Sequence, residues 1–153
     1  METSELFDII PEIEDLINFA KFESDVEVPT KTGFVKVRLS ILWEQEEFDI
    51  MKRSGDLYDP ADMLTRMRFV KMETLVYAIK KIGEQIFSDK DKNKEEILKN
   101  KLRSYLRVSN PHIIDYLYDR YEQLKIKSKE YIDEKTDIFK KKYLEELKTL
   151  NPL

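Results

Sequence analysis

Side chains that could carry out catalysis are scarce in this sequence. His112 is the only histidine, and there is no cysteine. A serine nucleophile would need a general base beside it, and His112 lies at the start of a predicted helix, in a chain without a glycine-rich turn to expose a nucleophile. Metal sites built from several histidines or from thiolates are also excluded. We therefore expect no catalytic residue, no metal site and no other cofactor, and we assign His112 a surface or capping role.

Phosphate binding and paired-carboxylate catalysis have no recognisable motif either. Gly33, Gly55 and Gly83 are the only glycines, and more than twenty residues separate each from the next. A phosphate-binding loop needs glycines close together, so that backbone N–H groups can surround the anion. Adjacent carboxylates such as Glu46 and Glu47 diverge around a helix and do not converge on one substrate. The sequence therefore predicts that the protein is not an enzyme.

Basic residues recur along the second half of the chain, where they could line a face that binds nucleic acid, with tyrosines stacking on the bases. Acidic residues are interspersed among them, and the isoelectric point is about 5.3. We therefore do not expect nucleic acid as a partner, and we keep a small helical nucleic-acid-binding or regulatory protein as the alternative function. The basic residues in question are Lys80, Lys81, Lys90 to Lys94, Lys99, Lys101, Arg103, Arg107 and the lysines from Lys125 to Lys142.

Charge is distributed unevenly along the chain. Residues 1–30 contain nine acids and one base, a net charge of −8, and the other 123 residues contain 22 acids and 26 bases, a net charge of +4. The acidic start could fold back on the basic body or bind a basic partner.

No apolar run reaches the roughly 18 residues that a membrane span needs, and the start lacks a secretory signal. We therefore expect neither export by that route nor a membrane span.

The apolar pattern predicts a mainly α fold (α+β) with two parts. A helical domain is expected over residues 1–124, with one small β-hairpin at about residues 26–39, where β-branched and aromatic residues alternate with charged ones. A helical C-terminal extension is expected over residues 125–153, continuous with the preceding helix. Because two strands alone are marginally stable in water, the hairpin must pack on the helices or extend the sheet of a partner.

The last helix is predicted to be long. Asn110 and Pro111 introduce it as cap and first residue, and no glycine or proline interrupts it from His112 to about Leu150. Its first half has enough apolar residues to pack on the body, whereas the second half projects, folds back or pairs with another chain. The predicted stripe is Ile114, Leu117, Tyr121, Leu124, Ser128, Tyr131, Lys135 and Ile138, followed by Phe139, Tyr143, Leu147 and Leu150.

A central helix is predicted over residues 59–87, with Asp59 as its cap and Pro60 at its first position. Its charged residues, such as Lys71 and Glu73, fall mostly opposite the apolar ones, so we expect them to face solvent. The predicted inner face is Met72, Leu75, Val76, Ile79, Ile82 and Ile86.

Three further helices are predicted. The first runs from about Pro11 to Phe22, and Pro11 separates it from an apolar piece that contains Leu6, Phe7, Ile9 and Ile10. The second runs from Ile41 to about Arg53, capped by Ser40 and ended by Ser54-Gly55-Asp56, with Trp43 as a core anchor. The third begins at Asn93 and buries Ile97, Leu98, Leu102, Tyr105 and Leu106.

Three segments within residues 26–126 follow one another along the chain: VKVRLSILWEQEEFDIM, RMRFVKMETLVYAIKKIGEQIF and KLRSYLRVSNPHIIDYLYDRYEQL. In order and in apolar spacing they resemble the tail assembly chaperones of tailed bacteriophages and the related baseplate hub assembly proteins. The likeness includes a helix through Leu75 to Gly83 and a later aromatic and leucine run from Ile113 to Tyr118. The resemblance implies a protein without enzymatic activity that binds tail or baseplate subunits, as an assembly chaperone in the host cytoplasm or as a small part of the particle.

The partners expected from the resemblance are therefore protein subunits, and the C-terminal helix could also bind a second copy of the chain. The contact surfaces are expected on the hairpin, on the acidic start and on the helix beyond Leu124. The residues predicted to bind a partner are Val35, Val37, Tyr131, Ile138, Phe139, Tyr143 and Leu147.

Overall fold

The computed structural model describes residues 11–150 and confirms a mainly helical fold with a small antiparallel sheet and a long C-terminal helix. The apolar residues of the first ten positions, from Leu6 to Ile10, lie outside the described part. In chain order the elements are α1 Pro11–Ile17, β1 Glu23–Thr30, β2 Gly33–Ser40, α2 Glu44–Leu57, α3 Met63–Ala78, β3 Ile79–Ile82, β4 Gln85–Ile86, α4 Lys92–Val108 and α5 Pro111–Thr149.

The four strands form one antiparallel sheet in chain order. β1 and β2 make the predicted hairpin, paired from Glu23 opposite Ser40 to Thr30 opposite Gly33. β3 pairs with the other edge of β2, and β4 pairs with β3. A third strand and packed helices give a hairpin the support that it lacks alone. β2 is therefore an internal strand of the sheet.

The predicted central helix over residues 59–87 is wrong from Ile79 onwards. Helix α3 ends at Ala78, and the chain continues directly into β3. Ile79 and Ile82 lie opposite residues of β2, and Ile86 lies opposite a residue of β3. Gly83 takes φ +57° in the turn to β4, a left-handed conformation that glycine adopts without a steric clash. Strand pairing with β2 therefore determines the structure of this segment, although the spacing of its isoleucines is typical of a helix.

The start of the central helix also differs from the prediction. Asp62, not Asp59, is the cap of α3, and its side chain accepts a hydrogen bond from the backbone N–H of Thr65 at 3.2 Å. Asp59 instead accepts one from the N–H of Ala61 at 2.8 Å, in a turn before the helix. The side-chain chemistry expected at Asp59 is present, and it stabilises a turn.

Other helix boundaries shift because of strand pairing and local caps. α1 ends at Ile17 and not at Phe22, and Ser40 is the last residue of β2, so that α2 begins only after Trp43. The backbone N–H of Trp43 donates to the carboxylate of Glu46 at 2.8 Å. Residues 54–56 lie inside α2, which ends at Leu57, and Asp91, not Asn93, caps α4.

The core lies between one face of the sheet and the helices α2, α3, α4 and α5. Tyr121 on α5 is the largest of its fully buried side chains, with an exposed fraction of 1%. Ile97 and Tyr105, predicted to be buried on α4, are instead exposed. The central apolar residues are Val26, Leu39, Ile50, Leu75, Val76, Ile79, Leu102, Leu106, Leu117 and Tyr121.

Candidate protein-binding surfaces

The first part of α5 packs on the body along the predicted stripe. Ile114, Leu117, Tyr121, Leu124 and Ser128 are all buried. The side chain of Asn110 accepts a hydrogen bond from the N–H of His112 at 2.9 Å, as expected for a cap. His112 is thus placed at the helix start, where its own side chain is exposed.

Tyr121 links this part of α5 to α2 by polar contacts. Its hydroxyl accepts a hydrogen bond from the backbone N–H of Leu42 at 3.2 Å and donates one to Glu47 at 3.0 Å. The ammonium of Lys125 lies 3.3 Å from the same carboxylate. Burial raises the pKa of the Tyr121 phenol well above its ordinary value. A buried tyrosine with both hydrogen-bonding roles satisfied fixes one rotation of α5 on the body.

Ser128 and Tyr131 continue the contact to the segment that joins α1 to β1. The hydroxyl of Ser128 donates to the carbonyl of Ala20 at 2.6 Å, and Ala20 has φ +57°. The ring of Tyr131 lies 5.5 Å from that of Phe19 and 5.3 Å from that of Phe22, measured between centroids. The polar residue in the predicted stripe is therefore an anchor for a tight turn.

Beyond these contacts the helix leaves the body. We call residues 136–150 the arm; every one of its residues is exposed. At about 1.5 Å per residue, the arm is roughly 22 Å long. Its large apolar side chains are Ile138, Phe139, Tyr143, Leu144, Leu147 and Leu150.

The structure separates the seven residues predicted to bind a partner. Val37 has an exposed fraction of 3% and belongs to the core, and Val35 is half-buried against it. Because β3 pairs with β2 at Val37, this residue does not lie on a free strand edge. Tyr131 is half-buried at the base of the arm. The other four, Ile138, Phe139, Tyr143 and Leu147, lie together on the arm.

A second exposed apolar surface was not predicted from the sequence. We call it the methionine face and define it by Met51 on α2 and by Met63, Leu64 and Met67 on α3. Their exposed fractions run from 52% for Met67 to 82% for Leu64. Four of the five methionines of the chain lie between residues 51 and 72, which is the signal that could have indicated this surface. Unbranched, polarisable methionine side chains are overused at surfaces that adapt to different partners.

Two grooves lie on either side of Met67. One, of about 600 Å³, is lined by Leu64, Met72, Leu106 and Ile114 among its apolar residues. The other, of about 320 Å³, has a more apolar lining, which is Met51, Met63, Val70 and Tyr118 with the buried Ser54 at its floor. Among the described residues the Ser54 hydroxyl has no hydrogen-bond partner.

The rim of the methionine face is basic. Arg66, Arg68, Lys71 and Arg107 line one groove or the other, and Asp115 is the one acid among the lining residues of these two grooves. Lys71 lies 3.2 Å from Asp115, so one of the four cations is already paired. An apolar floor with an excess of positive charge fits a partner segment that is apolar with acidic flanks.

A buried ion network holds α3, which carries most of the methionine face, against α2 and α4. Glu73 was predicted to face solvent, but it is buried and accepts hydrogen bonds from Arg103 at 2.9 and 3.0 Å. Arg53 lies 3.0 Å from the same carboxylate. The hydrogen bond between Arg103 and Glu73 raises the pKa of the Arg103 guanidinium. The prediction failed because both cations are distant in sequence from Glu73.

Trp43 is not the core anchor that was predicted. Its exposed fraction is 38%, and the ammonium of Lys21 lies 3.2 Å from the centre of its ring. Desolvation lowers the pKa of Lys21 to about 8, against the opposing effect of Glu46. Contact with an aromatic face favours the ammonium form. This cluster joins the segment after α1 to the start of α2.

Several cations proposed for nucleic-acid binding already contact acids. Arg103 is bound to Glu73, Lys125 lies beside Glu47, and Lys99 lies 3.9 Å from Glu95. Within residues 11–150, no three histidine, aspartate or glutamate side chains are grouped as a metal site would require. No helix in that range combines the length and the hydrophobicity needed to cross a membrane.

Comparison of the chain with protein families, curated proteins and solved structures found no match.

Proposed function

We propose that this protein is a non-enzymatic assembly protein that binds other protein subunits. The observation that carries the proposal is the methionine face, which combines exposed methionines, two adjoining grooves and a basic rim. Monomeric proteins rarely expose apolar patches of this kind unless another molecule covers them. The arm is the second exposed apolar surface and supports the same class of function.

The occupant proposed for the methionine face is an amphipathic helix of the partner with acidic flanks. A groove between two helices accepts a third helix through side chains at helical spacing, as in other helix-in-groove complexes. Carboxylates beside the apolar side chains would meet Arg66, Arg68 and Arg107 on the rim.

The resemblance to phage tail assembly chaperones and baseplate hub assembly proteins supplies the class of partner. We propose tail or baseplate subunits, bound in the host cytoplasm during assembly or in the particle itself. One part of the resemblance does not carry over as expected, because the segment from Leu75 to Gly83 is a helix end followed by a strand. The order of the other elements and the exposed apolar surfaces support the proposal.

Affinity purification from infected cells tests it. A tagged chain should retain tail or baseplate subunits, and Met67→Glu should lose them because a carboxylate would stand between the two grooves. Ile97→Glu is the matched control: Ile97 is similarly exposed, at 67%, but lies on α4 and lines neither groove. It should retain the same subunits.

The proposal fails if no tail or baseplate subunit is retained, or if both variants lose the subunits equally. Retained nucleic acid whose binding weakens steeply with salt would instead favour the alternative of a nucleic-acid-binding protein.

A further inference from the structure

The arm carries its apolar side chains on one seam. Phe139, Tyr143 and Leu147 follow one another at intervals of four residues, and Leu150 comes three residues later. At roughly 100° per residue, these four side chains lie within about 40° of Tyr143 around the helix axis. Ile138 lies about 140° from Tyr143 by the same geometry. All four seam residues are exposed, so the seam has no cover within the described chain.

We propose that the arms of two copies of this chain pair antiparallel, about a two-fold axis that passes beside Tyr143. The inference rests on the arm as a contact surface in the proposed function and names its occupant. It does not depend on the methionine face.

The apolar residues match in this arrangement. Tyr143 meets Tyr143 of the second copy at the axis, and Phe139 meets Leu147 on each side of it, because the two residues are equally far from Tyr143. Leu150 lies at the level of Thr136. A two-fold interface uses the same patch on both subunits, and this seam is complementary to itself when one copy is reversed.

The charges favour the antiparallel direction. Residues 136–142 contain three lysines and one aspartate, a net charge of +2, and residues 144–150 contain two glutamates and one lysine, a net charge of −1. Parallel arms would bring Lys140, Lys141 and Lys142 of both copies to the same level. Antiparallel arms instead place the lysine-rich end of each arm beside the end of the second copy that carries Glu145 and Glu146, so attraction replaces repulsion.

The length of the arm fits the same arrangement. Tyr143 is the middle residue of the exposed segment 136–150, so two arms centred on it overlap along their whole exposed length. The overlap ends at Thr136, before the half-buried Tyr131 that contacts the body. No described residue of one arm would be forced into the body of the other copy.

The expected affinity is modest. Two helices of roughly 22 Å bury less than the about 1,200 Å² of surface that is usual for a stable specific complex. We therefore expect dimers that form in the micromolar range and dissociate on dilution. Sedimentation equilibrium should show a shift from the 18.4 kDa of one chain towards twice that mass as the concentration rises.

Two matched substitutions test the seam. Tyr143→Lys places two positive charges at the axis and should weaken dimerisation at least tenfold. Ile138→Lys adds the same charge to the same arm, from a similarly exposed apolar residue off the seam, and should change the dissociation constant less than threefold. Fluorescence of Trp43, the only tryptophan, checks that the body stays folded in both. The proposal is overturned if the chain stays monomeric up to millimolar concentration, or if both substitutions act alike.

Engineered cysteines test the direction, and the absence of native cysteine makes the result unambiguous. Under mild oxidation, Tyr143→Cys should form a disulfide-linked dimer. Phe139→Cys and Leu147→Cys should not link to themselves, but a mixture of the two should form a mixed disulfide, since only opposed residues come within bonding distance. Self-linkage at all three positions would mean parallel arms and would overturn the proposal.

The two proposals fail separately. If Tyr143→Lys is monomeric and still retains tail or baseplate subunits, the arm serves self-pairing and the methionine face binds the partner. If the native chain is dimeric but retains no such subunit, the antiparallel pairing stands and the proposed function does not.

Discussion

The two halves of α5 have similar apolar spacing and different surroundings. Both carry apolar side chains at intervals of three and four residues. In the first half the stripe is buried, and Tyr121 and Ser128 bind it to named partners on the body. In the second half the seam through Tyr143 is exposed. An apolar stripe therefore predicts that a helix face will pack against something. The polar contacts of Tyr121 and Ser128 mark the part of the stripe that packs on the body of the same chain.

The largest difference between the halves should appear when a leucine is shortened. Leu117→Ala should lower the free energy of unfolding by about 2–5 kcal/mol, because it removes buried methyl groups and leaves a cavity. Leu147→Ala, at an exposed position of the arm, should change it by less than about 0.5 kcal/mol. Urea unfolding followed by Trp43 fluorescence, at a concentration below dimer formation, measures both values.

Similar losses in the free energy of unfolding for the two leucine substitutions would contradict the contrast between the two halves of α5. A large effect of Leu147→Ala would mean that the arm packs on the body in solution, and a small effect of Leu117→Ala would mean that the first half is not part of the cooperative core.

A tyrosine pair should give a smaller difference. Tyr121→Phe keeps the ring but leaves the N–H of Leu42 without its acceptor, at a cost of about 1–3 kcal/mol. Tyr143→Phe removes a hydroxyl at an exposed site and should leave the unfolding free energy unchanged within about 0.5 kcal/mol. Equal values for the two substitutions would show that the Tyr121 hydrogen bonds contribute nothing net.

Tyr121 also makes the stability of the protein depend on pH. Burial raises the pKa of Tyr121 in the folded state, so the neutral phenol contributes stability that is fully present below the unfolded pKa of about 10 and lost as the pH rises above it. Tyr121→Phe should therefore lose less stability than the native chain between about pH 9 and pH 11. A native chain and variant with parallel pH profiles would contradict this explanation.

Sequence reasoning succeeded where local signals were sufficient. Asn110 and Pro111 mark the start of α5, and the absence of later helix breakers gives its length. Alternation between Val26 and Leu39 gives the hairpin. It failed where a contact with a distant residue determines the structure. Ile79 is a strand residue because it pairs with β2, and Glu73 is buried because Arg53 and Arg103 bind its carboxylate. The exposure of Met67 depends on how α2, α3 and α5 pack together.

The burial of Val37 has the same origin. Its strand reads as one half of a two-stranded hairpin, and a residue there could face a partner. Val37 instead lies opposite Ile82, and its side chain belongs to a core whose other residues, such as Leu75 and Leu117, are distant in sequence. The four arm residues of the predicted contact set remain on one exposed segment, because a helix without tertiary contacts keeps the spacing that its sequence prescribes.

The smallest expected difference concerns two hydroxyl groups and has opposite signs in the two halves. Ser128→Ala removes the hydrogen bond to the carbonyl of Ala20, 2.6 Å long and buried, and should lower the free energy of unfolding by about 1 kcal/mol. Within residues 11–150, Thr136 donates only to carbonyls of its own helix, those of Ile132 and Asp133. Because alanine has a higher helix propensity, Thr136→Ala should raise the helicity of the arm slightly, by an amount worth about 0.5 kcal/mol, without changing the unfolding of the body. Far-ultraviolet circular dichroism reports the helicity of the arm, and Trp43 fluorescence reports the unfolding of the body. Thr136→Ala should therefore change only the first signal, and Ser128→Ala should shift the fluorescence transition. If Thr136→Ala moves the fluorescence transition as much as Ser128→Ala does, the arm and the body unfold together, and the division of α5 into an anchored half and a free half is wrong.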